Sequence, residues 1–335
     1  VMVYRVGILG LKGHQGVVLN SIRRMDNVVL AAVADDSEDA LINVGSNPAV
    51  TSDTKFYKDS LKLLEEEKID IACVSGTDGE RAKVLIECMR RGIHVLSEKP
   101  LTMTIDELNM VREEFHSSKV LLSMLMTMRF YPSYRKIREV VMPGGIGEVC
   151  LASFQKSYKL GRRPEWMRSH RTFSSTIAYI GIHAVDLIRW CAGREFTEVM
   201  AYQSNAGHPE VHEMEDNAVM IFKMDNGGSA CIHLDYCRPL KAPTHGDDLL
   251  RIAGNHGVIE TFEQGSRVQI ITEERGVEEL TLEERADESL GLPLNFVRAI
   301  DGVEECKVPT EDCFRITEIV LKARESSRVG HPIKL

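Results

Sequence analysis

Seven consecutive apolar residues, Val28–Ala34 (VVLAAVA), restrict the fold of this chain more than any other segment. A strand without alternating polar residues has to be buried on both faces, which is typical of a parallel sheet covered by helices. The apolar run Tyr4–Leu9 precedes this segment, and Gln15–Met25 between them has helical spacing. The order of these three segments predicts the start of a doubly wound α/β sheet.

Strand and helix patterns alternate up to about residue 125 and then change. Further strands of the first part are predicted at 69–74, 94–97 and 120–126, with helices at 60–67, 80–91 and 104–117. After a helix from Pro132, strand patterns dominate: 148–156, 198–203, 218–223, 229–234, 249–253, 258–263 and 268–272. Helices at 184–191 and 310–328 interrupt them. We therefore predict a doubly wound domain over 1–125 and an α+β domain with a large, mainly antiparallel sheet over 126–335.

The bulk composition is that of an ordinary globular protein, with 335 residues, 43% apolar and 27% charged. The length suggests about two domains, and a net charge of −9 argues against a nucleic-acid or anionic-membrane surface. The first residues lack a signal-peptide pattern, and no apolar run is long enough to span a membrane. The eight scattered cysteines contain no CxxC pair, so we expect free thiols and a cytoplasmic protein.

The segment VGILGLKGHQG places Gly10, Gly13 and Gly16 between the first strand and the first helix. Glycines at this point let the backbone turn tightly and approach a pyrophosphate, whose charge is stabilised by the helix N-terminus. Their GxxGxxG spacing is one residue longer than the usual dinucleotide pattern. The position between strand and helix still indicates a dinucleotide site, and the alternative is a similar sheet that binds no nucleotide.

Two acidic residues, Asp35 and Asp36, follow the second strand. A carboxylate there can accept hydrogen bonds from the adenosine ribose hydroxyls and would repel a 2′-phosphate. No lysine or arginine lies between Asp35 and Lys55 to bind such a phosphate. The sequence therefore favours NAD over NADP.

Two further segments place polar side chains where a reaction would need them. Glu98 and Lys99 of an EKP sequence directly follow a predicted strand, at the sheet edge where ligands bind in doubly wound folds. An isolated lysine is, however, more often a solvated charge. His183 is the lone histidine of the apolar segment TIAYIGIHAVDLIRWCAG. Taken alone, it is either a core residue or a proton-transfer group.

Several separated motifs resemble the glucose–fructose oxidoreductase, inositol dehydrogenase and rhizopine catabolism (Gfo/Idh/MocA) family over nearly the whole chain. They are the glycine loop, RGIHVLSEKP, MRFYPSYRKI with GGIGEV, GIHAVDLIRWCAG, EDNAVMIFKMDNGG, DDLLRIAGNHGVIE, NFVRAIDG and ARESSRVGHPI. The resemblance implies an N-terminal Rossmann domain that binds a nicotinamide cofactor, and a C-terminal domain for substrate binding and oligomerisation. It also implies sugars, cyclitols or related polyols as substrates, and a homodimer or homotetramer formed through the C-terminal sheet.

The resemblance assigns roles to particular residues. The family's EKP lysine matches Lys99, near the substrate oxygen and nicotinamide, and its late histidine matches His183. The family's glycines and acidic residue before that histidine are absent, since residues 173–175 are Phe-Ser-Ser and the acidic position is Tyr179. We expect His183 as the acid–base group, Lys99 as electrophilic support, and Tyr179 as a substrate contact, an alternative acid or a mere space-filler. Asp186, on the same helix face as His183, is a candidate for the missing carboxylate.

Further candidates complete the two predicted sites. The cofactor set is Gly10, Gly13, His14, Gly16, Asp35, Asp36, Thr77, Glu98 and Lys99. The substrate set is Lys99, Arg129, Tyr158, Trp166, Tyr179, His183 and Asp186, in which Tyr158 and Trp166 either stack on a sugar ring or serve only for packing. Four histidines were considered as zinc ligands: His208, His212, His233 and His245. Their spacing fits no compact zinc ligand set, so no metal site is predicted.

The sequence thus predicts an NAD-dependent oxidoreductase that transfers hydride between nicotinamide and a hydroxyl or carbonyl carbon of a sugar, cyclitol or derivative. Two alternatives stay open. One is redox-assisted hydrolysis or elimination of a glycoside, in which NAD is not consumed. The other is a non-catalytic, nucleotide-dependent sensor, suggested by the missing acidic residue. Lys99 and His183 speak against the sensor, since a sensor needs no proton-transfer groups.

Overall fold

The computed structural model describes residues 2–211, 213–283 and 288–335, which form two compact units. The first unit contains residues 2–127 and 288–317, and the second contains residues 128–283 and 318–335. The division of roles between a cofactor domain, 1–125, and a substrate domain, 126–335, stays a prediction.

Six strands of the first unit form a parallel sheet. Their bounds are β1 (Tyr4–Leu9), β2 (Val28–Ala34), β3 (Lys55–Tyr57), β4 (Ile71–Val74), β5 (His94–Ser97) and β6 (Leu122–Met124). The strand order is β3-β2-β1-β4-β5-β6, and all neighbours are parallel. Six of the seven residues of β2 are buried, as its unbroken apolar pattern predicts. The doubly wound sheet is confirmed, and its winding reverses between β1 and β4.

Five helices connect these strands: α1 (Gln15–Ile22), α2 (Glu38–Gly45), α3 (Ser60–Glu66), α4 (Asp78–Arg90) and α5 (Ile105–Ser117). The predicted capping box of α5 is confirmed, because Thr104 and Glu107 each accept a hydrogen bond from the other's backbone N–H. Helix α2 was not predicted, since it buries no residue and so shows no apolar stripe. Its signal is the N-cap Ser37, whose hydroxyl accepts from the backbone of Ala40 at 3.3 Å.

A half-buried histidine makes the stability of this sheet depend on pH. His94 begins β5, and its Nδ1 accepts a hydrogen bond from the backbone N–H of Leu121 at 2.8 Å. Burial lowers the pKa of His94, and the nearby charge of Asp70 opposes this only partly. Because the folded pKa is depressed, the unfolded chain binds more protons near pH 6. Neutral His94 therefore makes its full contribution to the free energy of unfolding above the ordinary histidine pKa of about 6.5. This contribution is lost as the pH falls below that value.

We expect the thermal midpoint of the wild type to fall more between about pH 7.5 and about pH 5.5 than that of His94→Gln. Glutamine keeps an acceptor oxygen but does not titrate. The control is His116→Gln, at an exposed histidine of α5, which should retain the pH dependence of the wild type. Equal pH dependence of wild type and His94→Gln, measured by differential scanning fluorimetry, would contradict the prediction.

Nine strands of the described second unit form one sheet. Their bounds are β7 (Val149–Tyr158), β8 (Phe196–Ser204), β9 (Asn217–Met224), β10 (Ser229–Asp235), β11 (Gly246–Gly254), β12 (Gly257–Phe262), β13 (Arg267–Thr272), β14 (Gly276–Leu280) and β15 (Ile333–Lys334). The order is β14-β13-β12-β11-β7-β10-β9-β8-β15, and β7 with β10 is the one parallel pair of this sheet. The predicted mainly antiparallel sheet is confirmed. Strand β14 was not predicted, because its residues are mostly exposed and do not alternate.

The second unit also contains α6 (Pro132–Val141) and α7 (Ile182–Ala192), which starts directly after a π-helical turn at Ile177–Gly181. Two further helices, α8 (Glu288–Ile300) and α9 (Thr310–Val329), precede β15. Helix α8 was not predicted and carries Pro293 in its interior. It packs against α1 in the first unit, while α9 belongs to the first unit up to Thr317 and to the second unit beyond it.

Among the described residues, no helix combines the length and the apolar character that a membrane span requires.

Candidate functional site

A cleft of about 300 Å³ opens at the carboxyl ends of β1, β2 and β4. In open α/β sheets this edge, beside the point where the winding reverses, is where ligands bind. The lining combines glycine backbone with both signs of charge: Gly10, Lys12, Asp35, Asp36, Lys58, Asp59, Ser60, Leu61, Gly76, Gly79, Glu80, Lys83 and Val84. The cleft is thus shaped for a polar, charged ligand such as a nucleotide.

Two of the three loop glycines are required by their surroundings. Gly10 has φ +97°, and a Cβ there would overlap the backbone nitrogen of Gly76. A Cβ at Gly13 would lie 2.5 Å from Oε1 of Glu98. Gly16 differs, because no atom of the described residues lies within 4 Å of the position that a Cβ would occupy, and its φ is not positive. The space at Gly16, in the first turn of α1, remains open to a ligand.

Glu98 ties the glycine loop to the EKP segment. Its Oε1 accepts a hydrogen bond from the backbone N–H of His14 and lies 2.6 Å from the imidazole Nδ1 of the same residue. Its Oε2 lies 3.8 Å from Nζ of Lys99. Burial by itself would raise the pKa of Glu98, but the charges of His14, Lys99 and Arg81 hold it well below its ordinary value. The lowered pKa favours the carboxylate form of Glu98, which contacts both His14 and Lys99.

Lys99 follows β5 and is almost completely buried, with a side-chain exposure of 1%. Arg81 of α4 fixes the segment that carries it. The Arg81 guanidinium, also buried, donates to the carbonyl oxygens of Pro100 at 2.5 Å and Gly76 at 3.0 Å, and to Asp78 at 2.9 Å. Sequence reasoning missed Arg81, since nothing local distinguishes it from a solvated helix arginine. A buried ammonium at the carboxyl end of a parallel strand is typical of a functional group rather than of packing.

The two acidic residues after β2 differ in access. Asp35 is 1% exposed, and its oxygens accept from the backbone N–H groups of Leu11 at 2.7 Å and Ser37 at 2.9 Å. Asp36 is 73% exposed and accepts from Nζ of Lys12, which also lies 3.3 Å from both oxygens of Asp35. The hydrogen bond from Lys12 is the main cause that lowers the pKa of Asp36. Of the two carboxylates, Asp36 is the one that a nucleotide can reach.

The lysines of this cleft were missed by sequence reasoning. None of them lies between Asp35 and Lys55, where a phosphate-binding residue was expected. Lys12 belongs to the glycine loop, Lys58 follows β3 and Lys83 belongs to α4. Thr77, the last predicted cofactor residue, is buried at the N-cap of α4, where its hydroxyl donates to Glu80 at 3.1 Å.

In the second unit, His183 lies in the first turn of α7 and is half-buried. Tyr179 belongs to the π-helical turn just before it. The ring of Tyr179 packs against Phe173, with centroids 5.3 Å apart, and against the edge of Trp166 at 5.9 Å. These three aromatic residues form a cluster, of which Tyr179 lies one helical turn before His183. π-Helical turns of this kind are frequent at functional sites. The roles predicted for Tyr179 and His183 stay predictions.

Arg129 and Asp186, both predicted to bind substrate, pair with each other. The Arg129 guanidinium donates to both oxygens of Asp186, from Nε to Oδ2 at 3.0 Å, and both side chains are buried. The guanidinium also lies 5.6 Å from the ring centre of Trp190. A buried bidentate pair holds both groups in one geometry. In this structure the carboxylate of Asp186 is therefore engaged with Arg129.

Tyr158 belongs to a polar group inside the second unit that sequence reasoning did not foresee. The hydroxyl of Tyr158 and the ammonium of fully buried Lys156 both donate to Oδ2 of Asp248, at 2.9 and 2.7 Å. Burial, together with the charge of Asp248, raises the pKa of Tyr158 well above its ordinary value. The buried hydroxyl of Tyr236 and Oδ1 of Asp248 have no hydrogen-bond partner in the described part of the chain. Such atoms can still bind the hydroxyl groups of a ligand.

The histidines considered as metal ligands differ in their surroundings. His233 is exposed on β10, and the ring of exposed His245 packs near Tyr158, with centroids 5.4 Å apart. His212 lies outside the described residues. His208 differs, because its Nδ1 lies 2.9 Å from Oδ2 of Asp216.

Comparison with known proteins agrees with this architecture. Residues 4–126 match the model of an oxidoreductase family with an NAD-binding Rossmann fold, and residues 134–260 match the GFO/IDH/MocA C-terminal domain. A myo-inositol 2-dehydrogenase from Thermotoga maritima is 25% identical over 274 residues, which cover 81% of this chain and 79% of that protein.

Two solved structures show the same fold. One, described as an oxidoreductase from Thermotoga maritima, has a TM-score of 0.92 and 30% identity, with 99% of this chain and 100% of that chain covered. The other is a levoglucosan dehydrogenase in complex with NADH and L-sorbose, with a TM-score of 0.86, 14% identity and coverage of 100% and 99%. The chain therefore belongs to the GFO/IDH/MocA oxidoreductase family, whose N-terminal domain is an NAD-binding Rossmann fold.

Proposed function

We propose that this protein is an NAD-dependent dehydrogenase or reductase that acts on a secondary hydroxyl of a sugar, cyclitol or related polyol. The arrangement of Lys99, Glu98 and His14 carries the proposal. A buried ammonium lies beside a carboxylate that also binds the glycine loop, and it directly follows β5, at the carboxyl edge of the parallel sheet where ligands bind in such folds. A protein that only bound nucleotide would gain nothing from burying this lysine.

The proposed reaction transfers a hydride and a proton. Nicotinamide, when bound, supplies the acceptor or donor for the hydride on the carbinol carbon. The hydroxyl proton has to leave at the same time, and we propose that His183 receives it. Lys99 donates a hydrogen bond to the oxygen that gains negative charge during the transfer. In the reductive direction His183 returns the proton to the carbonyl oxygen, while Lys99 stabilises the charge that develops on that oxygen.

The second unit offers groups suited to a polyol. The hydroxyl of Tyr236 and Oδ1 of Asp248 are buried polar atoms with capacity for a hydrogen bond, and Trp166 and Tyr179 are half-buried aromatic residues of the kind that pack on a sugar ring. Relatives that carry the name inositol 2-dehydrogenase make cyclitols the first compounds to test.

The test is the absorbance of reduced nicotinamide when purified protein, NAD and a panel of cyclitols, aldoses and sugar acids are mixed. Net NADH formation with at least one member supports the proposal. Release of nitrophenol from nitrophenyl glycosides without net NADH would establish redox-assisted glycoside cleavage instead. Nucleotide binding with neither activity would establish a sensor.

We further propose NAD rather than NADP as the cofactor. An exposed carboxylate at Asp36 repels a 2′-phosphate, while the ammonium of Lys12 beside it would attract one. We expect Asp36→Ala to raise kcat/KM for NADP about tenfold, equivalent to about 1.4 kcal/mol, since the repulsive charge is removed and Lys12 keeps only Asp35 as a carboxylate partner. Asp39→Ala, at an exposed carboxylate of α2, is the matched control. An unchanged NADP preference in Asp36→Ala would contradict the role of Asp36.

We also propose that the chain assembles through the nine-stranded sheet. Helix α7 packs against β7 and β10 on one face. The other face exposes Leu151, Tyr202, Val219 and Ile221, which the strand register places together on that face. An apolar patch of this kind on a sheet face marks an interaction surface.

Light scattering tests the assembly. Ile221→Glu is expected to reduce the apparent mass to that of one 37.6 kDa chain, because a charge at the centre of a buried interface is costly. Val303→Glu is the control, as Val303 is equally apolar and exposed but lies outside the sheet. A wild type that is already monomeric would refute the proposal.

A cytoplasmic location is proposed as well. Cys73, Cys88, Cys191 and Cys313 are buried free thiols, and burial raises the pKa of the first three. Buried thiols of this kind are usual in proteins of a reducing compartment.

A further inference from the structure

Three potential metal ligands converge at one end of the nine-stranded sheet, and none of them belongs to the predicted cofactor or substrate residues. His208 and Asp216 lie in the connection between β8 and β9, and Cys237 follows β10. Ser204, Asn217 and Asp235 are paired in register, so the ends of these three neighbouring strands meet. The fold, rather than any sequence spacing, therefore brings the three side chains together.

The ligand atoms are close enough for one ion. The imidazole, carboxylate and thiol atoms all lie within 4.8 Å of one another, and Nδ1 of His208 is 2.9 Å from Oδ2 of Asp216. Ligand atoms around a tetrahedral zinc ion are roughly 3–4 Å apart, given bonds of about 2.0–2.3 Å. Small rotations of exposed Cys237 and half-buried His208 are enough to close the difference.

Gly207 provides a second, independent observation. A Cβ at this residue would lie 2.6 Å from Oδ2 of Asp216 and 3.1 Å from Sγ of Cys237. The carboxylate oxygen and the sulfur thus point at the same side of Gly207, and any larger residue would push them apart. Because the φ of Gly207 is not positive, backbone conformation does not account for the glycine. The small residue leaves room for the converging ligand atoms.

Asp216 is held as a preformed ligand. Its side chain is 2% exposed, its Oδ1 accepts from Nδ2 of Asn217 at 2.6 Å, and its backbone bonds to Ser204 and Tyr236 at 2.9 and 2.7 Å. Within the described residues, no lysine or arginine pairs with this carboxylate. A buried carboxylate requires a compensating positive charge, which at Oδ2 is supplied either by a protonated His208 or by a cation that both side chains bind. The hydrogen bond from Asn217 would orient the ligand, as in established metal sites.

We propose that His208, Asp216 and Cys237 bind a zinc ion, with water in the fourth position. One nitrogen, one oxygen and one sulfur ligand suit zinc or cobalt, whereas magnesium and calcium prefer oxygen ligands only. The ion joins the connection between β8 and β9 to the segment after β10. The site is independent of the proposed dehydrogenase activity, since none of its ligands belongs to the predicted cofactor or substrate sets.

Cobalt(II) titration of the full chain, after treatment with a chelator, tests the site. We expect one ion per chain, a near-ultraviolet thiolate charge-transfer band and the visible spectrum of tetrahedral cobalt, all abolished by equimolar zinc. Cys237→Ser should lose the charge-transfer band, and His208→Ala should weaken binding at least tenfold. Cys150→Ser, at another exposed thiol of the same sheet, should bind as the wild type does.

Circular dichroism of the metal-free variants separates loss of the site from loss of the fold. Cys237 is exposed, so we expect Cys237→Ser to keep the wild-type spectrum without metal. A folded Cys237→Ser variant that retains the thiolate band, or a wild type that binds cobalt without saturation, would overturn the proposal.

Discussion

Replacing Lys99 with methionine is expected to lower kcat by about 10²–10³-fold, the usual cost of removing a donor that stabilises a developing oxyanion. Methionine has nearly the same length, so the buried space after β5 stays filled while the hydrogen bond to substrate is lost. Glu98 keeps His14 as a partner in this variant, with the imidazole Nδ1 at 2.6 Å. The glycine loop should therefore stay in place. We expect NAD to bind with little change and the chemical step alone to suffer.

Single-turnover kinetics with the substrate found by the absorbance test separate these effects. Nucleotide binding, followed by fluorescence, should differ less than threefold between Lys99→Met and the wild type. Lys62→Met, at an exposed lysine of α3, is the control for loss of a positive charge from the same unit. If Lys99→Met keeps its turnover but loses nucleotide binding, Lys99 supports the fold of the cleft and takes no part in the reaction.

Replacing His183 with asparagine is expected to lower kcat by about 10²–10⁴-fold, the range for loss of a general acid or base. Asparagine keeps a polar group in the first turn of α7 but cannot move a proton near neutral pH. The pH profile gives a readout that a structural role would not move. The wild type should lose activity toward acid pH in the oxidative direction, as the base becomes protonated, and His183→Asn should lose this dependence.

Tyr179→Phe distinguishes the two candidate proton carriers. The aromatic packing against Trp166 and Phe173 is retained in this variant, while the hydroxyl is removed. We expect a loss of less than tenfold if the tyrosine only contacts substrate. His233→Asn, at an exposed histidine of β10, controls for the change of residue type. A large loss in Tyr179→Phe together with a small loss in His183→Asn would exchange the roles of the two residues.

Elements with a strong local pattern were predicted closely. The strands β1, β2 and β5 begin and end where their apolar runs do, and the capping box marks the start of α5. These signals depend on residues within a few positions of one another. Helix α2 and strand β14 were not predicted, because neither buries an apolar face. Helix α8 was also not predicted. It packs against α1, which comes more than 250 residues earlier in the chain.

Local periodicity and motifs in a fixed order were enough to predict the doubly wound first unit, the antiparallel second sheet and the types of side chain at the EKP and glycine segments. Only the tertiary structure decided which polar groups meet. Lys12 reaches Asp36, Arg81 fastens the EKP segment, Lys156 joins Tyr158 at Asp248, and His208 faces Asp216 and Cys237. Such pairs join residues far apart in the chain. Their geometry is set by strand order and register, which no local pattern contains.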